Sequence, residues 1–152
     1  MREEKYQPKM PDIMEAIFDA GYLIFDLVAA ILFFTYAKGN KLFILYGILT
    51  LTLCGGDAFH LVPRIIRAAR GTNDRIKKQL GIGLQISSIT MTVFYILLYY
   101  VWRLRYQVEG KRNLTVIVYV LALVRVILCL FPQNEWTHAD APLSWGIYRN
   151  IP

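Results

Sequence analysis

The sequence has few of the residues that build disulfide frameworks or metal centres. Its 152 residues include two cysteines and two histidines, and both Cys54 and Cys129 lie inside apolar runs. This placement gives no extracellular disulfide framework. The chain also lacks an internal repeat, a low-complexity tract and a polar segment long enough for a soluble domain. We therefore predict one integral-membrane domain, residues 1–152, with no soluble domain.

Apolar residues are what the chain has in excess. Hydrophobic residues make up 56% of it and aromatic residues 14%, and its mean hydropathy is +0.39, more than a soluble core of this size can bury. A lipid bilayer accommodates about 20 consecutive apolar residues as a helix. Charged residues divide the chain into four such runs, residues 13–36, 42–63, 81–102 and 114–131. We predict an all-α, polytopic transmembrane helix bundle with at least four spans and the lipid bilayer as partner.

Aromatic rings mark the ends of the predicted spans. The third run contains no charged residue and ends in Tyr99, Tyr100 and Trp102, ring types that prefer the headgroup layer. This makes it the clearest span. Tyr22 and Tyr95 are also predicted to belong to aromatic belts rather than to a binding site.

The end of the chain is polar but contains tryptophan. Pro132 ends the fourth run, and the segment "QNEWTHADAPLSWG" follows it. This pattern predicts either a surface or re-entrant lid, or the approach to a further membrane helix that begins near Trp145. The second alternative is favoured, so that the chain is expected to be C-terminally truncated.

The net charge of +6 does not indicate nucleic-acid binding, because the basic residues crowd the connections between runs. With four spans, the N-terminus and the second connection share one side of the membrane, here called the N-terminal face. That face holds nine basic residues: Arg2, Lys5, Lys9, Arg64, Arg67, Arg70, Arg75, Lys77 and Lys78. The opposite face holds six: Lys38, Lys41, Arg103, Arg105, Lys111 and Arg112. Because basic residues accumulate on the cytoplasmic side, we predict a cytoplasmic N-terminus and no nucleic-acid partner.

Polar residues inside the runs fall on the same side of the membrane, because successive spans alternate in direction. At helical spacing they form three stripes and one isolated arginine. The stripes are Glu15, Asp19, Tyr22 and Asp26; Asp57, His60 and Arg64; and Gln85, Ser88 and Thr92; the arginine is Arg125. An ionisable group in hydrocarbon costs about 2.5–3.5 kcal/mol even on lenient scales, so such groups face the bundle and pair. We predict that they line one cavity open to the N-terminal face.

The composition of this cavity suggests roles for its members. Its candidate catalytic residues are Asp57, His60 and Ser88, and its candidate substrate or proton site is Asp19, Asp26, Gln85 and Arg125. His60 beside Asp57 suits a proton relay, a metal site or an acid/base pair. In the structural alternatives, Arg125 pairs with Asp26 or Asp57 as a staple between helices. Asp19 could then be a solvated interface residue.

The stretch "GDAFHLVPR" in the second run resembles the superfamily of membrane hydrolases that includes alkaline ceramidases and the progestin and adipoQ receptors. That family has a Ser-x-x-x-His pattern, with Phe before the His in some members, and a zinc ion held by three histidines. Phe59-His60 matches, whereas Gly56 stands at the serine position, the third run has no aspartate, and the two later histidines would lie beyond residue 152. The resemblance implies zinc with His60 as first ligand and Asp57 beside it. His138, the other histidine, is the second candidate ligand.

Three functions stay open for the predicted intramembrane Asp/His/Arg site. One is a lipid-directed, metal-dependent hydrolase, in which zinc activates water against a lipid amide or ester. Another is a proton-coupled small-solute carrier, since buried acids, a countercharge and a histidine allow protonation to change which pair forms. The third is a structural membrane subunit without catalysis, within a homo-oligomer or beside a partner membrane subunit.

Overall fold

A computed structural model of the protein describes residues 6–137 and 142–152. In chain order its helices are α1 (Met10–Ala37), α2 (Lys41–Arg70), α3 (Asp74–Arg105), α4 (Arg112–Leu130) and α5 (Leu143–Tyr148). One 3-10 turn, Pro132–Asn134, lies between α4 and α5. No strand occurs in these two stretches of chain. The predicted all-α fold is confirmed.

Helices α1 to α4 are each long and apolar enough to cross a membrane. They contain 28, 30, 32 and 19 residues, and each covers almost all of one predicted span. The chain is therefore a polytopic, multi-pass membrane protein by the length and composition of its helices. Helices α2 and α3 run well past the predicted spans on the N-terminal side of the bundle, because the charged residues there stay helical beyond the hydrocarbon.

The junction between α2 and α3 has a clear local cause. Gly71 ends α2 with a φ of +82°, a left-handed value that favours glycine, and its N–H donates to the Arg67 carbonyl at 2.8 Å. Asn73 then begins α3, because its side-chain oxygen accepts from the Ile76 N–H at 2.8 Å. The tight connection returns α3 antiparallel to α2.

Helix α1 packs along α2, α2 packs along α3, and α3 makes a much smaller contact with α4. Large apolar side chains cover the outer surfaces of all four helices, as a lipid environment requires. The buried positions of α1 are small or polar instead. The buried residues of α1 are Asp19, Asp26, Ala30 and Ala37. Their spacing of seven, four and seven places them on one face, the face toward α2.

Two glycines bring α2 and α3 close together in the half of the bundle nearest the N-terminal face. A Cβ atom at Gly83 would overlap the backbone carbonyl of Phe59. A Cβ atom at Gly56 would overlap the side chain of Thr90. Small residues at such positions let helix backbones approach closely in membranes. This approach fixes which face of α3 points at α2.

The described part of the C-terminal segment lies against the ends of α3 and α4. Asn134 is 1% exposed, and its amide donates to the Leu128 and Phe131 carbonyls at 2.6 and 2.9 Å. The Trp136 indole donates to the Cys129 carbonyl at 3.0 Å. Arg149, just after α5, donates to the Asn134 side-chain oxygen at 3.0 Å. The segment thus covers part of the N-terminal face.

Candidate functional site

The structure brings the first two predicted stripes face to face. We call the resulting cluster the polar seam. Its members are Glu15, Asp19, Tyr22 and Asp26 on α1; Asp57, His60, Arg64 and Arg67 on α2; and Ser87 on α3. The seam runs from the middle of α1 to the N-terminal face, along the half of the α1–α2 interface nearest that face.

Asp57 lies at the centre of the seam and links three helices. The Tyr22 hydroxyl of α1 donates to Asp57 Oδ2 at 3.0 Å. The Ser87 hydroxyl of α3 donates to Asp57 Oδ1 at 2.7 Å. Each carboxylate oxygen thus accepts a hydrogen bond from a different helix. Tyr22, predicted to belong to an aromatic belt, instead holds this carboxylate.

His60 lies one turn beyond Asp57 on the same face of α2. Its Nδ1 is 4.0 Å from Asp57 Oδ1, which is longer than a hydrogen bond. Within the described part of the chain this nitrogen is buried and has no hydrogen-bond partner. The His60 side chain is 20% exposed and also lines a cavity of about 500 Å³ that includes Arg64 and Arg67. The imidazole therefore stands between Asp57 and that cavity.

Ion pairs form the outer part of the seam. Arg64 Nε pairs with a Glu15 carboxylate oxygen, and Arg67 Nη2 bonds to the same oxygen at 3.0 Å. Arg64 Nε is also 3.2 Å from Asp19 Oδ2, an ion-pair distance without hydrogen-bond geometry. Asp19 is 4% exposed, so the alternative of a solvated interface residue is wrong. Two arginines of α2 thus face two carboxylates of α1.

Asp26 is the innermost acid of the seam. It is 5% exposed, and it lies one turn from Tyr22 and near Asp57. Among residues 6–137 and 142–152, no Lys, Arg or His side chain lies within ion-pair distance of it, and its Oδ2 lacks a hydrogen-bond partner. This carboxyl group therefore has no described countercharge.

The third predicted stripe does not enter the seam. The Ser88 hydroxyl donates back to the Leu84 carbonyl of its own helix at 2.8 Å, and Gln85 donates toward α4, to the Cys129 carbonyl at 3.4 Å. Thr92 bonds to the Ser88 carbonyl. Ser87 faces Asp57 because it lies four residues after Gly83, the position that touches the α2 backbone. The hydroxyl that contacts Asp57 therefore belongs to Ser87, one residue before the predicted Ser88.

Arg125 is also not brought to the seam. It donates to the Asn150 side-chain oxygen at 3.1 Å, and its guanidinium lies 5.7 Å from the centre of the Tyr95 ring. None of the ion pairs found in the described residues includes Arg125. The predicted staples to Asp26 or Asp57 are therefore not formed. The reason is that α4 packs mainly on α3, whereas the acids lie on α1 and α2.

The predicted zinc site requires three protein ligands. Over the stretches that the structure describes, no three His, Cys, Asp or Glu side chains are placed to hold a metal ion. Among the described residues, Asp57 is the carboxylate within 4.0 Å of His60, and its two oxygens already accept from Tyr22 and Ser87. His138 lies outside the described residues. The described donors alone therefore do not supply the three ligands of the site that the resemblance implies.

Sequence reasoning missed Ser87 as a partner of Asp57 and Arg67 as a partner of Glu15. Two signals could have found them. Gly83 and Ser87 are four residues apart, which places a close-approach position and a hydroxyl on one side of α3. Arg64 and Arg67 are three residues apart and therefore share one face of α2. Their positive charges complement the carboxylates of the α1 stripe.

No protein-family model, curated protein or solved structure matches the chain. The resemblance at Phe59-His60 therefore stays a prediction.

Proposed function

We propose that the protein binds an exchangeable proton in the polar seam and couples it to the passage of a small solute across the membrane. The observation that supports this proposal is the series of polar side chains that extends from mid-membrane to the N-terminal face. It begins at Asp26, passes through Asp57 and its two hydroxyl partners, and continues past His60 to Arg64 and the outer ion pairs.

The balance of charge within the seam favours proton binding. Its acids are Glu15, Asp19, Asp26 and Asp57, and its permanent cations are Arg64 and Arg67. The two arginines neutralise the two outer acids. Asp26 and Asp57 are left with His60 alone, and an uncompensated carboxylate in hydrocarbon costs several kcal/mol. A proton taken up by this inner group lowers that cost.

His60 has the position expected of the group that delivers the proton. Imidazole can accept a proton at one nitrogen and release it from the other. His60 lines the 500 Å³ cavity on one side and reaches to 4.0 Å from Asp57 on the other. A bridging water molecule spans such a distance. The proton route thus runs from the cavity through His60 to Asp57, with Tyr22 and Ser87 orienting the carboxylate.

We infer that the N-terminal face is cytoplasmic. Ten Lys and Arg residues, the nine counted from the sequence and Arg149, flank the spans on that face against six on the opposite face, and basic residues accumulate in cytoplasmic connections. With this orientation, the seam takes its proton from the cytoplasm.

Reconstituted vesicles test the proposal. The full-length protein is placed in proteoliposomes that contain a pH-sensitive dye, with phosphate, amino acids and short-chain carboxylates on both sides to supply a solute. A potassium diffusion potential set by valinomycin then drives proton entry. We expect wild-type vesicles to acidify at least several-fold faster than vesicles with Asp57→Asn, since the amide cannot carry the proton.

The matched control is Asp74→Asn, the same substitution at a fully exposed aspartate outside the seam. It should acidify like wild type. Equal rates for Asp57→Asn and wild type would overturn the proposal.

A structural subunit is the second candidate, and the Arg64–Glu15–Arg67 contacts favour it, because they fasten α1 to α2. In that case Asp57→Asn lowers the thermal stability of the protein and leaves proton entry unchanged. The two candidates therefore differ in the proton measurement.

A further inference from the structure

A second feature of the N-terminal face is the cavity beside the seam, which we call the basic pocket. It has a volume of about 500 Å³ and lies between α2, α3 and the C-terminal segment. Its polar lining includes His60, Arg64, Arg67, Lys77, Asn134 and Arg149. No aspartate or glutamate of the described residues lines it. Four cationic side chains thus surround one space of a size typical of small-ligand sites.

Two of these cations have no effective countercharge. Lys77 lies 3.5 Å from Asp74, but that carboxylate is fully exposed, and surface pairs of this kind contribute little. Arg149 has no carboxylate partner in the part of the chain described. It bonds to Asn134 at 3.0 Å and stacks 4.1 Å from the centre of the Trp136 ring. Burial lowers the pKa of the Arg149 guanidinium, as expected of a cation that is desolvated without a partner.

The other two cations add charge and geometry. Arg64 and Arg67 use part of their hydrogen-bonding capacity on Glu15, but their side chains stay 37% and 35% exposed. A guanidinium offers five N–H donors in a fork that matches phosphate oxygens. Both arginines therefore keep donors that can point into the pocket.

From its position along α2 and α3, we place the pocket at the depth of phospholipid phosphates. Arg64 and Arg67 lie in the last two turns of α2, and Lys77 lies in the first turn of α3. These turns flank the apolar part of each span on the N-terminal side, where we place the membrane–water boundary. Basic pockets between membrane helices on the cytoplasmic side bind anionic headgroups.

We propose that the basic pocket binds a phosphate group, either as free phosphate or as the phosphate of an anionic lipid headgroup in the N-terminal leaflet. Lys77 and Arg149 neutralise the phosphate oxygens, and the free donors of Arg64 and Arg67 bond to them. This site does not depend on proton uptake by the seam.

Binding to the purified full-length protein tests the proposal with two probes. One probe is inorganic phosphate, measured by titration calorimetry. The other is phosphatidic acid in mixed micelles against a phosphatidylcholine background, measured by native mass spectrometry. Removing one surface cation weakens binding of an anionic headgroup about fivefold. We expect this loss for Lys77→Gln and for Arg149→Gln, and partial recovery for Arg149→Lys, which keeps the charge.

The matched control is Lys78→Gln, which removes the same charge at the neighbouring exposed position that does not line the pocket. It should bind both probes like wild type. If both probes bind, free phosphate can enter the pocket. If only phosphatidic acid binds, the ligand is the lipid headgroup. If neither probe binds, or if Lys77→Gln and Lys78→Gln bind equally, the proposal is overturned. Asp57→Asn should keep phosphate binding. The binding test can therefore fail without the proton measurement failing, and the reverse also holds.

Discussion

The α1–α2 interface has two halves in which different kinds of side chain hold the same two helices together. The half nearest the N-terminal face joins carboxylates to arginines and hydroxyls, as in the Tyr22–Asp57 and Arg67–Glu15 contacts. The other half uses small and aromatic residues. There Ala30 is 1% exposed, and the Phe33 ring lies 5.4 Å from the Tyr46 ring.

The comparison shows that these two helices can pack in a membrane without ionisable groups. The apolar half needs none, and inserting charged side chains into hydrocarbon costs free energy. Side chains that cost stability and are not needed for packing point to function. The polar half is therefore the part of the interface to which the proposed function belongs.

The largest expected effect comes from the backbone contact that positions the polar half. In Gly83→Ala, the new methyl group overlaps the Phe59 carbonyl. Because this carbonyl belongs to the backbone, no side-chain rotation relieves the overlap. Helices α2 and α3 must separate, which moves Ser87 away from Asp57. We expect a loss of about 3 kcal/mol in the free energy of unfolding, measured by thermal or denaturant unfolding in detergent.

The matched control for this substitution lies in the apolar half. In Gly47→Ala the methyl group meets the end of the Phe34 ring, at 2.8 Å from Cε1. That side chain is 42% exposed and can turn toward lipid, so the loss should stay below about 0.5 kcal/mol. Equal losses for the two glycines would contradict the contrast between the halves.

An intermediate effect is expected for Arg64→Gln, which leaves the buried carboxylate of Asp19 without its cation. Breaking a buried pair costs about 3–5 kcal/mol, and the 37% exposure of Arg64 reduces this to about 2 kcal/mol. Unfolding in detergent at neutral pH measures the loss. Adding Asp19→Asn removes the stranded charge and should restore part of the stability. A double variant no more stable than Arg64→Gln would argue against the pair.

A smaller effect than that of Arg64→Gln is expected in the apolar half, for Phe33→Leu. This change removes the ring contacts to Phe43 and Tyr46 and should cost about 1 kcal/mol. Because no ionisable carboxylate takes part, the loss should be the same at pH 5 and pH 8. A loss that changed with pH would show that the two halves are coupled.

Much of the fold could be predicted from the sequence, because long apolar runs bounded by charges specify membrane helices directly. The stripes on α1 and α2 were also accessible, since helical periodicity places Asp19 and Asp26, or Asp57 and Arg64, on one face. Each of these features depends on residues close together in the chain.

The rotation of α3 about its axis and the position of α4 could not be predicted from the sequence, because contacts between residues far apart in the chain determine them. Ser87 rather than Ser88 reaches Asp57 because Gly83 touches the Phe59 backbone. Arg125 lies away from the acids because α4 packs mainly against α3. Periodicity within one helix says which residues share a face, but not which neighbour that face meets.

Infrared difference spectroscopy of the purified protein tests most directly whether the polar seam holds an exchangeable proton. Wild type should show the carbonyl-stretch band of a protonated carboxylic acid that disappears as the pH is raised. Asp26→Asn and Asp57→Asn should each remove or shift this band, because the two acids share the inner seam, and Asp74→Asn should leave it unchanged. The absence of any pH-dependent carboxylic acid band, or a band that neither seam substitution alters, would contradict the account.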